Sequence, residues 1–153
     1  MIPELKTFLI AMSPVVELRG SIPMALEVYK MPVWSAYLFS VLGNLVPLIL
    51  IISIFSPVSR FLSKKFGFFD QFFTWIFIHT RKIHQSKFEK WGKNLTVIIL
   101  VAIPIPFIGG WTGAIAAFVF GISFKKALPL IIIGSSLAGI IVIILTLGIS
   151  KLI

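Results

Sequence analysis

Residues 14–23 read PVVELRGSIP. This run places two charges among helix-breaking residues inside an apolar stretch, residues 7–26. The charges are Glu17 and Arg19, and prolines close the run at both ends. Proline removes an amide donor and clashes with the preceding turn, and glycine permits tight reversals of the backbone. The stretch therefore predicts two short helices that meet at a bend.

A second apolar stretch, residues 95–123, is broken by the run PIPFIGGWTG at residues 104–113. The run carries no charge, but it offers Trp111, Thr112 and the backbone groups of the bend for polar contacts. Non-helical backbone persists at membrane depth only where protein shields it or where it lines a wet cavity. Helix N-termini at this bend would suit an anion, and loosened carbonyls would suit a cation. A structural hinge is the alternative interpretation.

Each broken stretch precedes an apolar stretch, residues 32–56 or 127–150, that is long enough to cross about 30 Å of hydrocarbon. The chain of 153 residues is 58% hydrophobic and only 12% charged, which excludes an ordinary soluble domain. Each span contains a small or polar break, with Asn44 in the first and Ser135 in the second. We expect these two residues to pack the helices together or to line a shared cavity.

The two halves have the same order of parts and overlay with an offset of 90 to 91 residues, so that Asn44 matches Ser135. If each broken stretch enters and leaves the membrane on one side, only the following span crosses it, and the halves are inverted. Inverted repeats with discontinuous helices near the midplane are a recurring transporter plan. The sequence therefore predicts an all-α integral membrane fold of two inverted repeats, each a broken re-entrant helical hairpin plus a transmembrane helix.

A basic linker, about residues 60–94, joins repeat 1 (about 1–59) to repeat 2 (about 95–153) within a single membrane domain of residues 1–153. The linker holds eight of the fourteen Lys and Arg residues. Its apolar run at 66–78 and the basic segment after it predict amphipathic helices at the interface, in contact with lipids of an anionic leaflet. Because Lys and Arg mark the cytoplasmic side, we expect a cytoplasmic linker and both termini outside.

Other function classes lack residue-level support. The net charge is +9, but the basic residues cluster beside apolar stretches, which does not fit a nucleic-acid surface. The chain has no Cys, and His79 and His84 have no nearby cluster of carboxylates, so we expect neither a metal site nor a cofactor. No nucleophile–His–acid arrangement, phosphate-binding glycine loop or paired-carboxylate motif is visible, so we do not expect an enzyme.

Glu17 and Arg19 are charged positions inside an apolar stretch, where a charge is costly unless it is paired or hydrated. An extended backbone at the bend is predicted to put both side chains on one face. Arg19 would then anchor an anionic group while Glu17 carries a proton or a cation. The alternative is a permanent ion pair that fixes the bend. Ser21 is expected to cap a helix that begins at Ile22.

The candidate substrate- and ion-binding residues lie at the two bends and at the breaks in the spans. They are Glu17, Arg19, Gly20, Pro23, Asn44, Pro104, Pro106, Gly109, Trp111, Thr112 and Ser135.

The runs at 14–23 and 104–113 resemble the two signature loops of the small multidrug-export protein family, which is regarded as a distant relative of the DedA superfamily. The resemblance extends over nearly the whole chain. It implies two inverted repeats with re-entrant loops, ion- or proton-coupled transport and a place in a prokaryotic inner membrane. DedA-like proteins are associated with the movement of lipid carriers, so the implied substrate is amphiphilic, either drug-like or a lipid phosphate.

The expected function is therefore transport of an amphiphilic substrate across the bilayer. The alternative is a non-transporting membrane protein, such as an assembly factor or a lipid-organising scaffold, in which the bends are only structural. Two spanning helices provide little surface to seal a passage, which favours a homodimer.

Overall fold

The structure is a computed structural model, and it describes residues 2–65, 67–68, 71, 74–75, 89–105 and 108–152. This part of the chain is all-helical, which confirms the predicted fold class at that level. Its helices are α1 (Pro3–Ala11), α2 (Glu17–Pro23), α3 (Val33–Lys65), α4 (Glu89–Ala102), α5 (Gly110–Val119) and α6 (Phe124–Ser150), and a π-helical segment, Met24–Val28, directly follows α2.

Two helices are long and apolar enough to cross a membrane, Val33–Phe55 within α3 and Phe124–Ser150, which is the whole of α6. Both correspond to the predicted spans. The helix α3 continues to Lys65, past the predicted end at residue 56, and Lys64 and Lys65 occupy its last turn. Cations there interact favourably with the negative end of the helix, which explains why the helix extends into the predicted linker.

The first broken stretch is a helical hairpin of α1 and α2. The Thr7 hydroxyl of α1 donates to Met31 Sδ at 3.4 Å, and Lys6 Nζ lies 5.5 Å from the centre of the Tyr29 ring. The start of the hairpin therefore lies beside its end. With nine residues, α1 is about 14 Å long, which is less than half of the hydrocarbon thickness.

The second broken stretch consists of α4 and α5, which pack against each other. Gly113 of α5 lies directly against the Val101 side chain of α4. The Gly109 amide donates to Thr112 Oγ1 at 2.9 Å, and the Thr112 hydroxyl donates to the Gly109 carbonyl at 3.0 Å, which fixes the first turn of α5. Both broken stretches are thus pairs of helices separated by a turn.

The hairpins pack on the long helices through glycines at matching positions. Gly43 of α3 lies against the Phe8 carbonyl oxygen of α1. Gly134 of α6 lies against α4, where a methyl group at Gly134 would stand 2.6 Å from Val101 Cβ and 3.1 Å from the Ile98 oxygen. Gly43 and Gly134 are separated by 91 positions in the sequence, and their contacts Phe8 and Ile98 by 90. Small residues allow this close approach of helices in both halves.

The linker was predicted over about residues 60–94, but helix covers both of its ends. Besides the extension of α3 to Lys65, the helix α4 begins at Glu89 and runs to Ala102 without interruption. The segment has no proline, so helical hydrogen bonds continue past residue 94, and the predicted boundary between the linker and repeat 2 stays a prediction. The interfacial helices predicted for the rest of the linker fall mainly outside the described residues.

Ser21 does not cap a helix, so that prediction is wrong. The residue lies inside α2, is fully buried, and its hydroxyl has no hydrogen-bond partner among the described residues. Helical turns begin earlier, because the Glu17 amide donates to the Ser13 carbonyl at 2.9 Å and the Gly20 amide donates to the Val16 carbonyl at 3.1 Å.

Candidate functional site

Glu17 starts α2 with an unusual backbone conformation. Its φ is 48°, in the left-handed region, and the residue is only 5% exposed. A left-handed conformation costs a non-glycine residue roughly 1–2 kcal/mol, so the surrounding structure must hold it in place. Such outliers concentrate at functional sites, which makes Glu17 a functional candidate on conformation as well as on charge.

Arg19 pairs with Glu17. Arg19 Nη2 lies 3.1 Å from Glu17 Oε2, and the same nitrogen donates to the Ile108 carbonyl oxygen at 3.3 Å. The extended backbone that was predicted to bring the two side chains together is wrong, because both residues belong to α2. The left-handed φ at the first helical residue redirects the Glu17 side chain, which permits a contact that a regular helix would prevent.

The bends of the two hairpins meet at this ion pair. A methyl group at Gly109 would stand 2.6 Å from Glu17 Oε2 and 2.8 Å from Arg19 Nη2. Gly109 immediately precedes α5, so the Glu17 carboxylate lies beside the N-terminus of that helix. The positive end of the helix dipole favours a carboxylate there, in addition to the guanidinium.

Two cavities meet at Arg19. A smaller one, of about 160 Å³, is lined by both members of the ion pair and by Trp111 and Thr112. A larger one, of about 670 Å³, is lined by Arg19, Glu27 and apolar residues of α6. Arg19 thus borders both cavities, whereas of the two Glu17 borders only the smaller one.

Asn44 approaches the ion pair from α3. It is 1% exposed, its Nδ2 lies 3.5 Å from Ser135 Oγ, and its Oδ1 has no hydrogen-bond partner among the described residues. Asn44 lines a small space of about 10 Å³ together with Glu17, Arg19 and Gly110. A buried carbonyl oxygen that lacks a donor is uncommon in native structures and calls for an explanation.

The predicted site residues fall into several groups. Glu17, Arg19, Gly109, Trp111 and Thr112 line the smaller cavity, whereas Pro23 and Pro104 line the larger one with Arg19. Ser135 joins the site through Asn44.

Two of the predicted site residues do not join this arrangement. Gly20 lies against the Val16 side chain of its own hairpin, where it allows packing and contacts neither cavity. Pro106 lies outside the described residues.

The larger cavity has a wall formed by α6, which was not predicted from the sequence. Val142, Leu145, Thr146 and Ile149 line that cavity, and Thr146 donates to the Val142 carbonyl at 2.8 Å. Thr146 is a polar residue in an apolar span, and it was a weak indication in the sequence that this helix lines a cavity. In the described part of the chain, no group of three His, Cys, Asp or Glu residues could hold a metal ion.

A family model described as "Putative small multi-drug export protein" matches residues 17–141. The match begins at Glu17, the first residue of α2, and includes the second bend and most of both long helices. No curated protein and no solved structure matches the chain. The family and the two apolar helices together indicate a membrane protein. The chain belongs to the small multi-drug export protein family.

Proposed function

We propose that the protein is a membrane transporter that moves an amphiphilic substrate, with Arg19 binding an anionic group and Glu17 carrying the coupling proton. The observation that carries the proposal is the Glu17–Arg19 pair, whose side chains are 6% and 20% exposed: both line the smaller cavity, and Arg19 also lines the larger one. Ionisable residues inside a membrane are costly, and they commonly mark substrate or ion pathways.

The chemistry of the pair suggests how coupling would work. While Glu17 is charged, it occupies one donor of the guanidinium and competes with any anionic substrate for Arg19. Protonation of Glu17 removes that competitor, and Arg19, which still contacts the Ile108 carbonyl, becomes available to an anion. Loss of the proton restores the pair and expels the anion, so each proton is linked to one binding event.

The larger cavity supports an amphiphilic substrate. Its charged wall carries Arg19 and Glu27, and its opposite wall on α6 is formed largely by Val142, Leu145 and Ile149. A molecule with a polar head and an apolar body would place each part against a matching surface. Both a drug-like amphiphile and a lipid phosphate have this form, and the proposed link to the DedA superfamily stays a prediction.

The topology belongs to the same proposal. Three features support two inverted, re-entrant repeats. The helices of both hairpins are short, the two ends of the first hairpin lie side by side, and Gly43 and Gly134 make matching contacts with the hairpins. We place the linker in the cytoplasm against an anionic leaflet, the termini outside a prokaryotic inner membrane, and two copies in a homodimer. We propose no enzymatic activity, cofactor, metal or nucleic-acid partner.

Proteoliposomes provide the test. A fluorescently labelled phosphatidic acid reports movement of an anionic amphiphile, ethidium reports movement of a cationic one, and a trapped pH dye reports proton flux. We expect an imposed pH gradient to drive movement of the anionic probe by the wild-type protein. Glu17→Gln and Arg19→Ala should each abolish it, because each removes one member of the pair.

The matched controls are Glu4→Gln, in the first turn of α1, and Lys64→Ala, in the last turn of α3. Both remove a charge remote from the pair and should leave the flux unchanged. A wild-type protein that moves neither probe would favour the non-transporting alternative. Full flux in both Glu17→Gln and Arg19→Ala would instead refute the site.

A further inference from the structure

The oxygen Asn44 Oδ1 is a buried acceptor without a donor among the described residues. The residue is 1% exposed, and its amide nitrogen lies 3.5 Å from Ser135 Oγ. That contact uses Nδ2 and leaves Oδ1 without a donor in the described part of the chain. An unsatisfied buried acceptor costs about 1–3 kcal/mol, which would be recovered if a donor reached it in another state of the protein.

Glu17, at the start of α2, lines the same small space as Asn44 of α3. The space of about 10 Å³ is close to the size of a single water molecule, so it has room for at most about one solvent molecule between the residues that line it. An ionised carboxylate only accepts hydrogen bonds and cannot satisfy Asn44 Oδ1, whereas a protonated carboxyl has one O–H donor.

We propose that Asn44 is the positioning residue for the protonated form of Glu17, whose O–H donates to Asn44 Oδ1. This inference rests on the proposed function, in which the proton is the coupling ion, and it names the residue that receives the protonated side chain. The proton passes from hydronium in the smaller cavity to the Glu17 carboxylate, one O–H bond forms, and water is left. The neutral carboxyl turns from Arg19 to Asn44, and Arg19 is released.

The surroundings favour a proton over a metal cation such as Na⁺. A hard cation requires several oxygen ligands, but the small space is otherwise lined mainly by apolar residues, among them Leu18, Val101 and Val142. Arg19 is the one other titratable group that lines the small space or the smaller cavity in the described part, because the contributions of α3, α4, α5, α6 and the turn before α5 are uncharged. Glu27 lines the larger cavity with Arg19 but neither of these two spaces. Arg19 remains charged throughout, so Glu17 is the group that exchanges the proton.

Infrared difference spectroscopy of the detergent-solubilised protein tests this directly and requires no transport. On acidification, we expect a carboxylic-acid C=O band that is absent from Glu17→Gln. In Asn44→Leu, which keeps the side-chain size but removes the acceptor, the band should move to higher frequency because its hydrogen bond is lost. Proton-driven flux should fall about tenfold, as expected for the loss of one hydrogen bond in the transport cycle.

The matched control is Ser40→Ala. Ser40 lies one turn before Asn44 on α3, is fully buried and has an unpartnered hydroxyl in the described part, but it does not line the space beside Glu17. Its removal should leave the band in place. If Asn44→Leu does not fold, Asn44→Ser shortens the side chain away from Glu17 and should produce the same shift.

Two results would overturn the inference. The first is a Glu17-dependent band that does not move in the position 44 variants, which would place a water molecule in the small space instead. The second is the absence of any Glu17-dependent band on acidification. A band that behaves as expected in a protein without flux would refute the proposed function and leave the pairing of Asn44 with Glu17 standing.

Discussion

Asn44 of α3 and Ser135 of α6 contact each other, with Asn44 Nδ2 3.5 Å from Ser135 Oγ, although they lie 91 residues apart. The same number of positions separates the first residues of the two long helices, Val33 and Phe124. Residues related by a two-fold axis touch each other only where they lie close to that axis. In the proposed inverted repeat, the axis would therefore pass between the two long helices near this contact.

Matched glycine substitutions test the repeat at the level of packing. Gly43→Ala and Gly134→Ala should each destabilise the protein by about 1–3 kcal/mol, because the added methyl group meets a carbonyl oxygen or Val101 of the facing helix. Unfolding in mixed micelles measures this. Gly148→Ala is the control, since nothing lies within 4 Å of its added methyl group. Equal stability of all three variants would contradict the matched packing.

Gly109 should matter for activity more than for stability. In Gly109→Ala the methyl group meets Glu17 Oε2 and Arg19 Nη2, which are the ends of flexible side chains and can move aside. We expect the melting temperature to change by only a few degrees, because both charges remain and can still pair, while the flux in proteoliposomes falls at least about tenfold because the geometry of the pair is altered. A variant that retains wild-type flux would show that the geometry of the pair is unimportant.

The energetics of the ion pair can be isolated by a double-mutant cycle of Glu17→Gln and Arg19→Gln. Arg19→Gln leaves a carboxylate with 6% exposure unpaired and should cost about 3 kcal/mol of unfolding free energy, whereas Glu17→Gln leaves a guanidinium that is 20% exposed and should cost less. We expect the double variant to be more stable than the sum of the single effects predicts. Additive effects would mean that the two charges do not interact.

The sequence predicts the helices of this protein well, for a physical reason. Long apolar runs must be covered by lipid or protein and must satisfy their own backbone hydrogen bonds, so the spans at 32–56 and 127–150 had to be helical. Prolines and glycines break the other two stretches, and the structure has helix pairs there. Helix also covers both ends of the predicted linker, because charged residues continue a helix as readily as they end one.

The site was predicted only in part. The charges of Glu17 and Arg19 and the bend at Gly109 were visible in the sequence, and the structure brings them together. The left-handed backbone at Glu17 was not visible, because a glutamate carries no local signal for that conformation. The wall contributed by Val142 was also missed, because it depends on how α2 packs against α6.

In the proposed topology, the first hairpin enters and leaves the membrane from the outside and the second from the cytoplasm. Because the chain has no Cys, single cysteines can be placed at Ile2, Lys30 and Lys125, all of which are exposed, and labelled with a membrane-impermeant maleimide. Labelling of intact cells and of inside-out vesicles assigns each position to one side. The account predicts that Ile2→Cys and Lys30→Cys react from outside and that Lys125→Cys reacts from the cytoplasm. Ile2 and Lys30 on different sides, or Lys30 and Lys125 on the same side, would contradict it.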